Sequence, residues 1–443
     1  MFEGEEMQQK RVVIVGGGFA GMSCARALIR DSAIHVTLID KNNYSNFTPL
    51  LYQVATSAMY TESVATPLRH FFEGSANIDI KMAQVNAIDL QNKIVHTEDG
   101  ESYQGDFIVL ALGSIVNFFN TTGAEQYSFP LYNLVDAERL RSRIIAVFED
   151  ADRNRQLIEQ GILNFVIVGA GPTGIEIAGA IADMLNIALP KEFSIQILNK
   201  ACVHLVDHSS HVLAPFSKES QDYAAKILRE RHVLLHLGLL VNEIAPDHVL
   251  LSNGDKINTR TVIWAGGLKA AALAENEKIS RGHGDRINVL PDLSLEGFPN
   301  IYALGDIANI PGPGGEALPQ LASVAKQSGY WAARNILAQI NEKQPTPFRY
   351  VDKGIMAMIG KNAAIAEIGK QRRELKGFMS YLAWLGVHLT LLWTARQRIG
   401  TFLAWVWDFF AHAPVFQMLD RSDSARINWG KRINVKENKD VAK

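Results

Sequence analysis

The sequence predicts an α/β fold with two Rossmann-like domains, because one strand–glycine loop–helix pattern occurs twice. The first copy spans residues 12–21 and the second spans residues 165–176. Four consecutive β-branched residues, Val12 to Val15, indicate a buried parallel strand at the start of the first copy. An apolar, tryptophan-rich stretch beginning at Gly377 adds a separate C-terminal region.

The glycines of the first copy are typical of a phosphate-binding turn. Gly16, Gly18 and Gly21 let the backbone turn sharply and approach a phosphate group, towards which the next helix directs its first N–H groups. A second strand, about Ile34–Ile39, then reaches Asp40, where a carboxylate accepts the ribose hydroxyls of an adenine dinucleotide. This order predicts a dinucleotide-binding domain, although a glycine-rich turn without a ligand is the alternative.

The rest of the first domain reads as strands. Residues 78–98 alternate between apolar and polar side chains and end at Asp99-Gly100, a hairpin turn signal. Phe107 to Leu112 is a further buried strand that closes at Gly113. We expect this last strand to return beside the first.

The second copy carries the same three glycines, Gly169, Gly171 and Gly174. Its next strand is predicted at 194–198, which places Asn199 where the first copy has an acid. An amide there neither holds a ribose 2′-hydroxyl firmly nor repels a 2′-phosphate, so NADPH use beside NADH is compatible with the sequence. The alternative is that a neighbouring acid, or water, takes over this task.

Glu176 falls in the first turn of the helix that follows the second glycine loop. Its charge there suits the helix dipole, which is one explanation for the residue. The functional alternative is that Glu176 orients the nicotinamide end of a cofactor near a flavin.

Two later strand ends resemble cofactor contacts. Gly266 and Gly267 follow a buried strand and let the backbone approach the face of a bound cofactor, with a plain strand end as the alternative. Asp306 follows another buried strand, at an edge where a carboxylate can accept a hydrogen bond from a ribityl hydroxyl. The next helix, predicted at 320–336, contains Gln327, and its N-terminal dipole would favour an anionic ring.

Composition excludes several other classes. A chain of 443 residues predicts two to three domains, and a net charge of -2 argues against nucleic acid as a partner. The two cysteines, Cys24 and Cys202, form no CxxC pair, which argues against disulfide exchange. His204, His208 and His211 lack the companions of a metal site, so no metal is predicted.

The C-terminal region predicts helices at a membrane surface. Residues 377–395 contain no charged Lys, Arg, Asp or Glu, and four of the seven tryptophans lie between 384 and 407. Tryptophan with interspersed arginine is typical of helices at the headgroup level. From Arg421 onward, seven basic residues against three acids would attract anionic lipid. A membrane span, or packing on the domains or on a second subunit, are the alternatives.

Taken together, these motifs resemble the type II, single-subunit and non-proton-pumping NADH:quinone oxidoreductases, flavoproteins with two dinucleotide-binding domains. The resemblance covers nearly the whole chain, and the general fingerprints are VVIVGGGFAG, VGAGPTGIEIAGAIADM, VIWAGG, IYALGDIA and VAKQSG. The more specific parts are FTPLLYQVAT, PFRYVDKGIMAMIGKNAAIAEI and the tryptophan-rich tail.

The resemblance implies an FAD-binding domain in two parts (8–121 and 287–376), an NAD(P)H-binding domain (122–286) and C-terminal amphipathic membrane-anchoring helices (377–443). It implies catalytic roles for Glu176 and for Gln327, the second of two family glutamines, while Ser323 stands at the first. It implies FAD contacts at Gly16, Gly18, Phe19, Ala20, Gly21, Asp40, Lys41, Val85, Gly113, Asp306 and Ala325. It implies NAD(P)H contacts at Gly169, Gly171, Pro172, Thr173, Gly174, Glu176, Ala265 and Gly266.

The implied activity is hydride transfer from NAD(P)H to FAD and then reduction of a membrane quinone. The implied location is the cytoplasmic face of the cell membrane, as a peripheral, monotopic protein that is often a homodimer in this family. Two alternatives stay open: another flavin reductase of this fold, ferredoxin-reductase-like or sulfide:quinone, and a membrane-bound NADH-sensing protein.

Overall fold

The structure is a computed structural model, and it describes residues 9–272, 274–275, 279–369 and 371–411. The basic tail predicted from Arg421 onward lies outside these residues. The two Rossmann-like sheets expected from the sequence are present, and the predicted α/β fold is confirmed.

The strands of the first half of the chain are β1 (Lys10–Val15), β2 (Ile34–Asp40), β3 (Tyr44–Asn46), β4 (Ala65–Pro67), β5 (Ile78–Met82), β6 (Val85–Asp89), β7 (Ile94–Thr97), β8 (Ser102–Gln104), β9 (Phe107–Leu110), β10 (Ser114–Val116), β11 (Ser128–Pro130), β12 (Asn164–Val168) and β13 (Cys202–Asp207). Those of the second half are β14 (Val233–Leu237), β15 (Val241–Ile244), β16 (His248–Leu251), β17 (Lys256–Asn258), β18 (Thr261–Trp264), β19 (Leu268–Ala270), β20 (Ala274–Glu275), β21 (Ile287–Asn288), β22 (Ser294–Leu295), β23 (Phe298–Ala303), β24 (Ala308–Asn309), β25 (Gly354–Gly360), β26 (Ala363–Ile368) and β27 (Arg373–Gly377).

The α-helices are α1 (Phe19–Leu28), α2 (Leu51–Ala55), α3 (Thr61–Val64), α4 (Leu68–Phe71), α5 (Ala124–Tyr127), α6 (Leu134–Arg153), α7 (Gln156–Glu159), α8 (Pro172–Asp183), α9 (Ile195–Leu198), α10 (Lys218–Glu230), α11 (Ala322–Ile340), α12 (Phe378–Leu391) and α13 (Ala395–Ala411).

The chain divides into two compact units. Unit one comprises the described residues up to Asn46, together with Ala65–Val116 and Leu268–Val351. Unit two comprises Phe47–Val64, Asn117–Gly267 and the described residues from Asp352 onward. The domain boundaries at 121, 286 and 376 stay a prediction.

Unit one is organised on a six-stranded sheet in the order β22-β23-β9-β1-β2-β5. All neighbours pair in parallel except β22 and β23, which form an antiparallel hairpin. As predicted, β9 returns beside β1, with Ile14 opposite Val109. The carboxyl ends of the parallel strands therefore share one edge of the sheet, which is where such folds bind nucleotides.

Unit two contains a five-stranded parallel sheet in the order β11-β18-β12-β13-β14. The antiparallel strands β25, β26 and β27 form a further sheet of this unit. Helix α8 lies close to β25 because Gly179 has no side chain: a Cβ atom at this position would stand 2.1 Å from the carbonyl oxygen of Ile359. Any larger residue would separate the helix from the strand.

The predicted strand at 194–198 is wrong. Ile195–Leu198 is one turn of α-helix, and the strand that follows the second glycine loop is β13. A π-helical turn at Met184–Ala188 and a 3₁₀ turn at Leu189–Lys191 lengthen the connection between α8 and β13. This extra length moves the true end of the strand from Asn199 to Asp207.

The C-terminal region forms α12 and α13 on unit two. Helix α12 buries Trp384 and His388, and α13 buries Thr401 and Ala404. Among the described residues, the structure has no helix with the length and apolar character needed to cross a bilayer.

Candidate active site

The first glycine loop of unit one leaves an open space at the N-terminus of α1. Gly16 has a φ of +108°, and a Cβ atom there would stand 2.2 Å from the carbonyl oxygen of Ala111. By contrast, a Cβ atom on Gly18 would meet nothing within 4 Å. The loop is therefore tightly held on its inner side and open on its outer side, which suits a phosphate at the helix N-terminus.

The carboxylate of Asp40 fixes this loop. Its Oδ2 atom accepts the backbone N–H of Gly17 at 2.6 Å, and its Oδ1 atom accepts that of Asn42 at 2.7 Å. Burial raises the pKa of Asp40, and these two hydrogen bonds oppose the shift. Of the other predicted FAD contacts near this edge, Phe19, Ala20 and Gly21 begin α1, Lys41 follows β2, and Val85 begins β6.

A second carboxylate of unit one lies at the far side of the same sheet. Asp306 follows β23, and the hydroxyl group of Ser114 donates to its Oδ2 atom at 3.0 Å. Burial raises the pKa of Asp306, which Ser114 and the charge of Arg286 oppose. Gly113 precedes Ser114 with a φ of +73°, and Ala325 lies buried in the first turn of α11. These positions agree with a cofactor that runs along the sheet edge from Asp40 to Asp306.

The second glycine loop, in unit two, repeats the first in detail. Gly169 has a φ of +105°, and a Cβ atom there would stand 2.4 Å from the carbonyl oxygen of Ala265. A Cβ atom on Gly171 would meet nothing within 4 Å, as at Gly18. Pro172, Thr173 and Gly174 form the first turn of α8, and Gly266 follows β18 one residue beyond Ala265.

Asp207 is the site residue that sequence reasoning missed. Its Oδ2 atom accepts the backbone N–H of Ala170 at 2.6 Å, and its Oδ1 atom accepts that of Ser209 at 2.7 Å. Asp40 makes the same two contacts in unit one, so Asp207 is the acid of the second loop. Asn199 is instead an exposed residue at the end of α9. The signal in the sequence was the alternating run CVHLVD, which ends on this acid.

Glu176 lies just beyond the first turn of α8, not in that turn as the sequence predicted, and it is buried, with 8% of its surface exposed. Its Oε1 atom accepts the backbone N–H of Met358 from β25 at 3.3 Å. Burial raises the pKa of Glu176 to about 8, and the Met358 N–H and the Trp384 indole oppose that shift. The carboxyl group therefore carries a proton over much of the neutral pH range.

Aromatic side chains of α2 and α12 surround this part of unit two. The ring of Trp384 stacks on that of His388 with centroids 3.7 Å apart, and lies 6.3 Å from that of Tyr52. Phe47 meets His388 edge to face at 6.4 Å. Burial lowers the pKa of His388 to about 4, so this imidazole is neutral at pH 7. All four side chains are buried, so the cluster is an uncharged, packed part of the interior of unit two.

Gln327 lies on α11 in unit one, and its side-chain amide group forms two hydrogen bonds. Its Nε2 atom donates to the carbonyl oxygen of Val351 at 3.1 Å, and its Oε1 atom accepts the Val351 N–H at 3.0 Å. One turn earlier, the hydroxyl group of Ser323 bonds that of Tyr350 at 2.9 Å. The two positions of the glutamine motif together hold residues 350–351 on α11, and direct contact with a quinone stays a prediction.

No group of three or more metal-ligating side chains occurs in the part of the chain that the structure describes. His204 and His236, on neighbouring strands β13 and β14, bond each other at 3.0 Å. Burial and the nearby His236 lower the pKa of His204 to about 4.

Residues 10–329 match the family model of the pyridine nucleotide-disulphide oxidoreductases. Both Rossmann-like sheets, each with a glycine loop and a terminal acid, lie within this range. The chain belongs to this family.

The nearer relatives place it more narrowly. The chain is 32% identical over 419 residues to the type II NADH:quinone oxidoreductase Ndh of Mycobacterium tuberculosis, covering 91% of this chain and 89% of that one. It is 28% identical over 371 residues to the type II NADH:quinone oxidoreductase of Staphylococcus aureus, covering 81% and 90%. Within the larger family, the chain is thus a member of the type II NADH:quinone oxidoreductases.

Solved structures share the fold. NDH2 of Plasmodium falciparum, in complex with NADH, superposes with a TM-score of 0.85 at 19% identity, covering 92% of this chain and all (100%) of that one. The sulfide:quinone oxidoreductase of Aquifex aeolicus has a TM-score of 0.70, also at 19% identity, covering 91% and 96%.

Proposed function

We propose that this chain oxidises NADH and reduces a membrane quinone, with FAD as its resident cofactor and Glu176 at its catalytic centre. Membership of the type II NADH:quinone oxidoreductases supports the reaction as a whole. The observation that carries the proposal is the position of Glu176: a buried carboxyl group just beyond the first turn of the nucleotide-binding helix α8.

The residues of unit one fit FAD. The open position at Gly18 accommodates a pyrophosphate beyond α1, Asp40 accepts ribose hydroxyls, and Asp306 accepts from the ribityl chain. When bound, FAD supplies the hydride-accepting and electron-donating chemistry that no amino-acid side chain provides. The protein's own task is to hold the ring and to shape the electrostatics around it.

The residues of unit two fit NADH better than NADPH. The loop at Gly171 leaves room for a pyrophosphate, and Asp207 ends the strand at which a carboxylate of this fold accepts a ribose 2′-hydroxyl. A carboxylate accepts from that hydroxyl and repels a 2′-phosphate, so NADH is the preferred donor. The prediction that NADPH can also be used depended on Asn199 ending this strand. Asn199 does not end it, so that prediction is no longer supported.

Glu176 keeps a proton at the nicotinamide end of this site. The overall reaction consumes one proton from solvent for each NADH and quinone converted to NAD⁺ and quinol. A neutral carboxyl group can donate a hydrogen bond to a bound substrate while its other oxygen accepts from Met358. The pKa of about 8 keeps this donor available at neutral pH.

The rings of Tyr52, Trp384 and His388 are buried, so they stabilise the packing of α2 against α12 rather than contact a quinone. The predicted contact of Gln327 with the quinone remains part of this proposal.

Helices α12 and α13 support a peripheral position on the membrane. On α13 many exposed side chains are large and apolar: Ile399, Phe402, Leu403, Val406, Trp407, Phe409 and Phe410. Such a face, which combines aromatic and aliphatic residues with the exposed Arg396 and Arg398, suits the interfacial region of a bilayer. The cytoplasmic side and a homodimer are further predictions from the family resemblance.

One experiment tests the reaction. Purified yellow protein is mixed anaerobically with NADH, and a short-chain quinone is then added. We expect NADH to bleach the flavin absorbance and the quinone to restore it over many turnovers. A colourless protein that takes up no FAD, or bleaching that quinone does not reverse, would contradict the proposal.

The same assay separates the alternatives. Reduction by sulfide rather than NADH would indicate a sulfide:quinone enzyme, and single-turnover bleaching alone would indicate an NADH sensor. The described cysteines argue against the first of these, since Cys24 is fully buried and burial strongly raises the pKa of its thiol.

A further inference from the structure

Helix α13 has a polar side that faces into unit two. Trp405 and Asp408 stand three residues apart on the same side as the buried Thr401 and Ala404. A helix that served only to bury apolar side chains in lipid would gain nothing from these polar groups. The groups that Trp405 and Asp408 bond to therefore indicate the function of the inner face of α13.

Trp405 is bonded to α2. Its indole N–H donates to Oε1 of Gln53 at 2.8 Å, and Nε2 of Gln53 donates to the hydroxyl oxygen of Tyr52 at 3.0 Å. Tyr52 is buried, and after burial itself the nearby Glu176 is the largest contribution that raises its pKa. A continuous chain of hydrogen bonds thus runs from α13 to a ring beside Glu176.

Asp408 is bonded to the end of β25. The ammonium group of Lys361 lies 3.3 Å from Oδ2 of Asp408 and donates to its carbonyl oxygen at 2.8 Å. The Lys361 side chain is 13% exposed and that of Asp408 is 34% exposed. The lysine side of the pair is therefore the sheltered one, and its charge would be costly to leave unpaired.

Lys361 is in turn held by α8 and α10. Its backbone N–H donates to Oδ2 of Asp183 at 2.5 Å, and Arg231 bonds both the other oxygen of Asp183 at 3.1 Å and the carbonyl oxygen of Lys361 at 2.7 Å. Three residues before Lys361 lies Met358, whose N–H bonds Glu176. The pair Lys361–Asp408 therefore ties α13 to the strand that holds the Glu176 carboxyl group.

A cavity of about 110 Å³ lies among these groups, and the residues that line it include Tyr52, Gln53, Asp183, Lys361, Trp405 and Asp408. Close packing does not fill this space. The hydrogen bonds and the ion pair therefore fix this part of α13, while buried Thr401 and Ala404 and the bond from Gln397 to the carbonyl oxygen of Ser63 hold the rest of the helix.

We propose that Trp405 and Asp408 are positioning residues, through which the seating of α13 sets the place of the Glu176 carboxyl group. The proposal rests on the proposed role of Glu176 in NADH oxidation. It gives α13 a second function besides attachment to lipid. The outer face of the helix contacts the membrane, and its inner face holds the residues around Glu176 in position.

The test uses the full-length, FAD-loaded protein and two measurements. The first is the rate of flavin reduction by NADH in rapid mixing, resolved into a limiting rate and an apparent NADH Kd. The second is the infrared C=O band of the Glu176 carboxyl group, assigned by its loss in Glu176→Gln. The band reports the hydrogen bond from Met358 and does not require turnover.

We expect Asp408→Asn and Trp405→Phe each to lower the limiting rate about 3- to 10-fold and to shift the band, with NADH Kd and liposome binding unchanged. The exchange Lys361→Asp with Asp408→Lys should recover at least half of the lost rate. The matched control is Asp222→Asn, which breaks an exposed pair with Lys218 on α10 and should change neither measurement.

An Asp408→Asn protein that folds with an unchanged band and rate would overturn the proposal. If Asp408→Asn does not fold, Trp405→Phe decides, since it removes one N–H and keeps an aromatic side chain. Failure of the wild-type flavin to react with NADH would instead overturn the proposed function, and the band measurement would still test the positioning.

Discussion

Oδ2 of Asp207 accepts a hydrogen bond from the backbone N–H of Ala170 at 2.6 Å, the same contact that Asp40 makes with Gly17. Each glycine loop is thereby closed by the acid that ends the next strand. A carboxylate in this position has two functions: it holds the loop, and its remaining lone pairs can accept hydrogen bonds from a ribose.

Replacing Asp207 should therefore change the choice of donor. We expect Asp207→Asn to raise the KM for NADH about tenfold, while the KM for NADPH falls or stays constant, since the loss of a charged hydrogen bond costs about 1.5–3 kcal/mol. Steady-state kinetics with both donors measure this. Asn199→Asp is the control: it adds an acid at the exposed end of α9 and should change neither constant. A shift in Asn199→Asp but not in Asp207→Asn would restore the assignment made from sequence.

Glu176 should make stability depend on pH. Because burial raises its pKa from 4.5 to about 8, the native protein binds more protons than the unfolded chain between these values. The contribution of Glu176 to stability is therefore fully present below about pH 4.5 and is lost as the pH rises towards 8. Thermal melts from pH 5 to 9 should show a steeper loss for the wild type than for Glu176→Gln. Parallel melting curves would contradict the buried, protonated carboxyl group.

The same residue should matter for the reaction. We expect Glu176→Ala to slow flavin reduction by NADH by about 10²-fold, within the range typical of a lost acid–base group, with folding and flavin content retained. Rapid-mixing absorbance measures the rate. Reduction at the wild-type rate would show that Glu176 has no role in this step.

Gln327 should act on the quinone half-reaction. Gln327→Ala removes both hydrogen bonds to Val351, so we expect a several-fold rise in quinone KM and an unchanged rate of flavin reduction by NADH. Gln339→Ala is a matched control on the same helix, because Gln339 donates to the carbonyl oxygen of Pro299. Equal effects of the two variants on quinone KM would indicate a general loss of stability in α11.

The outer face of α13 should govern attachment to lipid. Burying one such side chain contributes about 1.5–3 kcal/mol, so Phe402→Ser combined with Trp407→Ser should reduce liposome binding at least tenfold. Co-sedimentation with vesicles containing anionic lipid measures the change. Leu240→Ser, an exposed apolar residue elsewhere in unit two, should leave binding unaltered. Undiminished binding of the double variant would place the lipid contact elsewhere.

Much of this fold can be predicted from the amino-acid sequence. Both glycine loops, the strand–helix order around them and Asp40 follow from local patterns, because a glycine with positive φ and a buried β-branched strand have few structural alternatives. The acid Asp207 was missed because π-helical and 3₁₀ turns lengthen the connection after α8, and spacing rules assume a regular crossover. Because the spacing assumed a regular crossover, the sequence interpretation assigned Asn199, instead of Asp207, to the end of the strand.

The sequence by itself determined the fold class, the two nucleotide loops and the apolar character of the C-terminal helices, since these depend on residues a few positions apart. Only the tertiary structure decided which groups surround Glu176 and which side of α13 faces inward. The bond from Met358 to Glu176 joins residues 182 positions apart, and that from Trp405 to Gln53 joins residues 352 apart. Such contacts depend on the packing of whole helices and sheets, which no local pattern of side chains encodes.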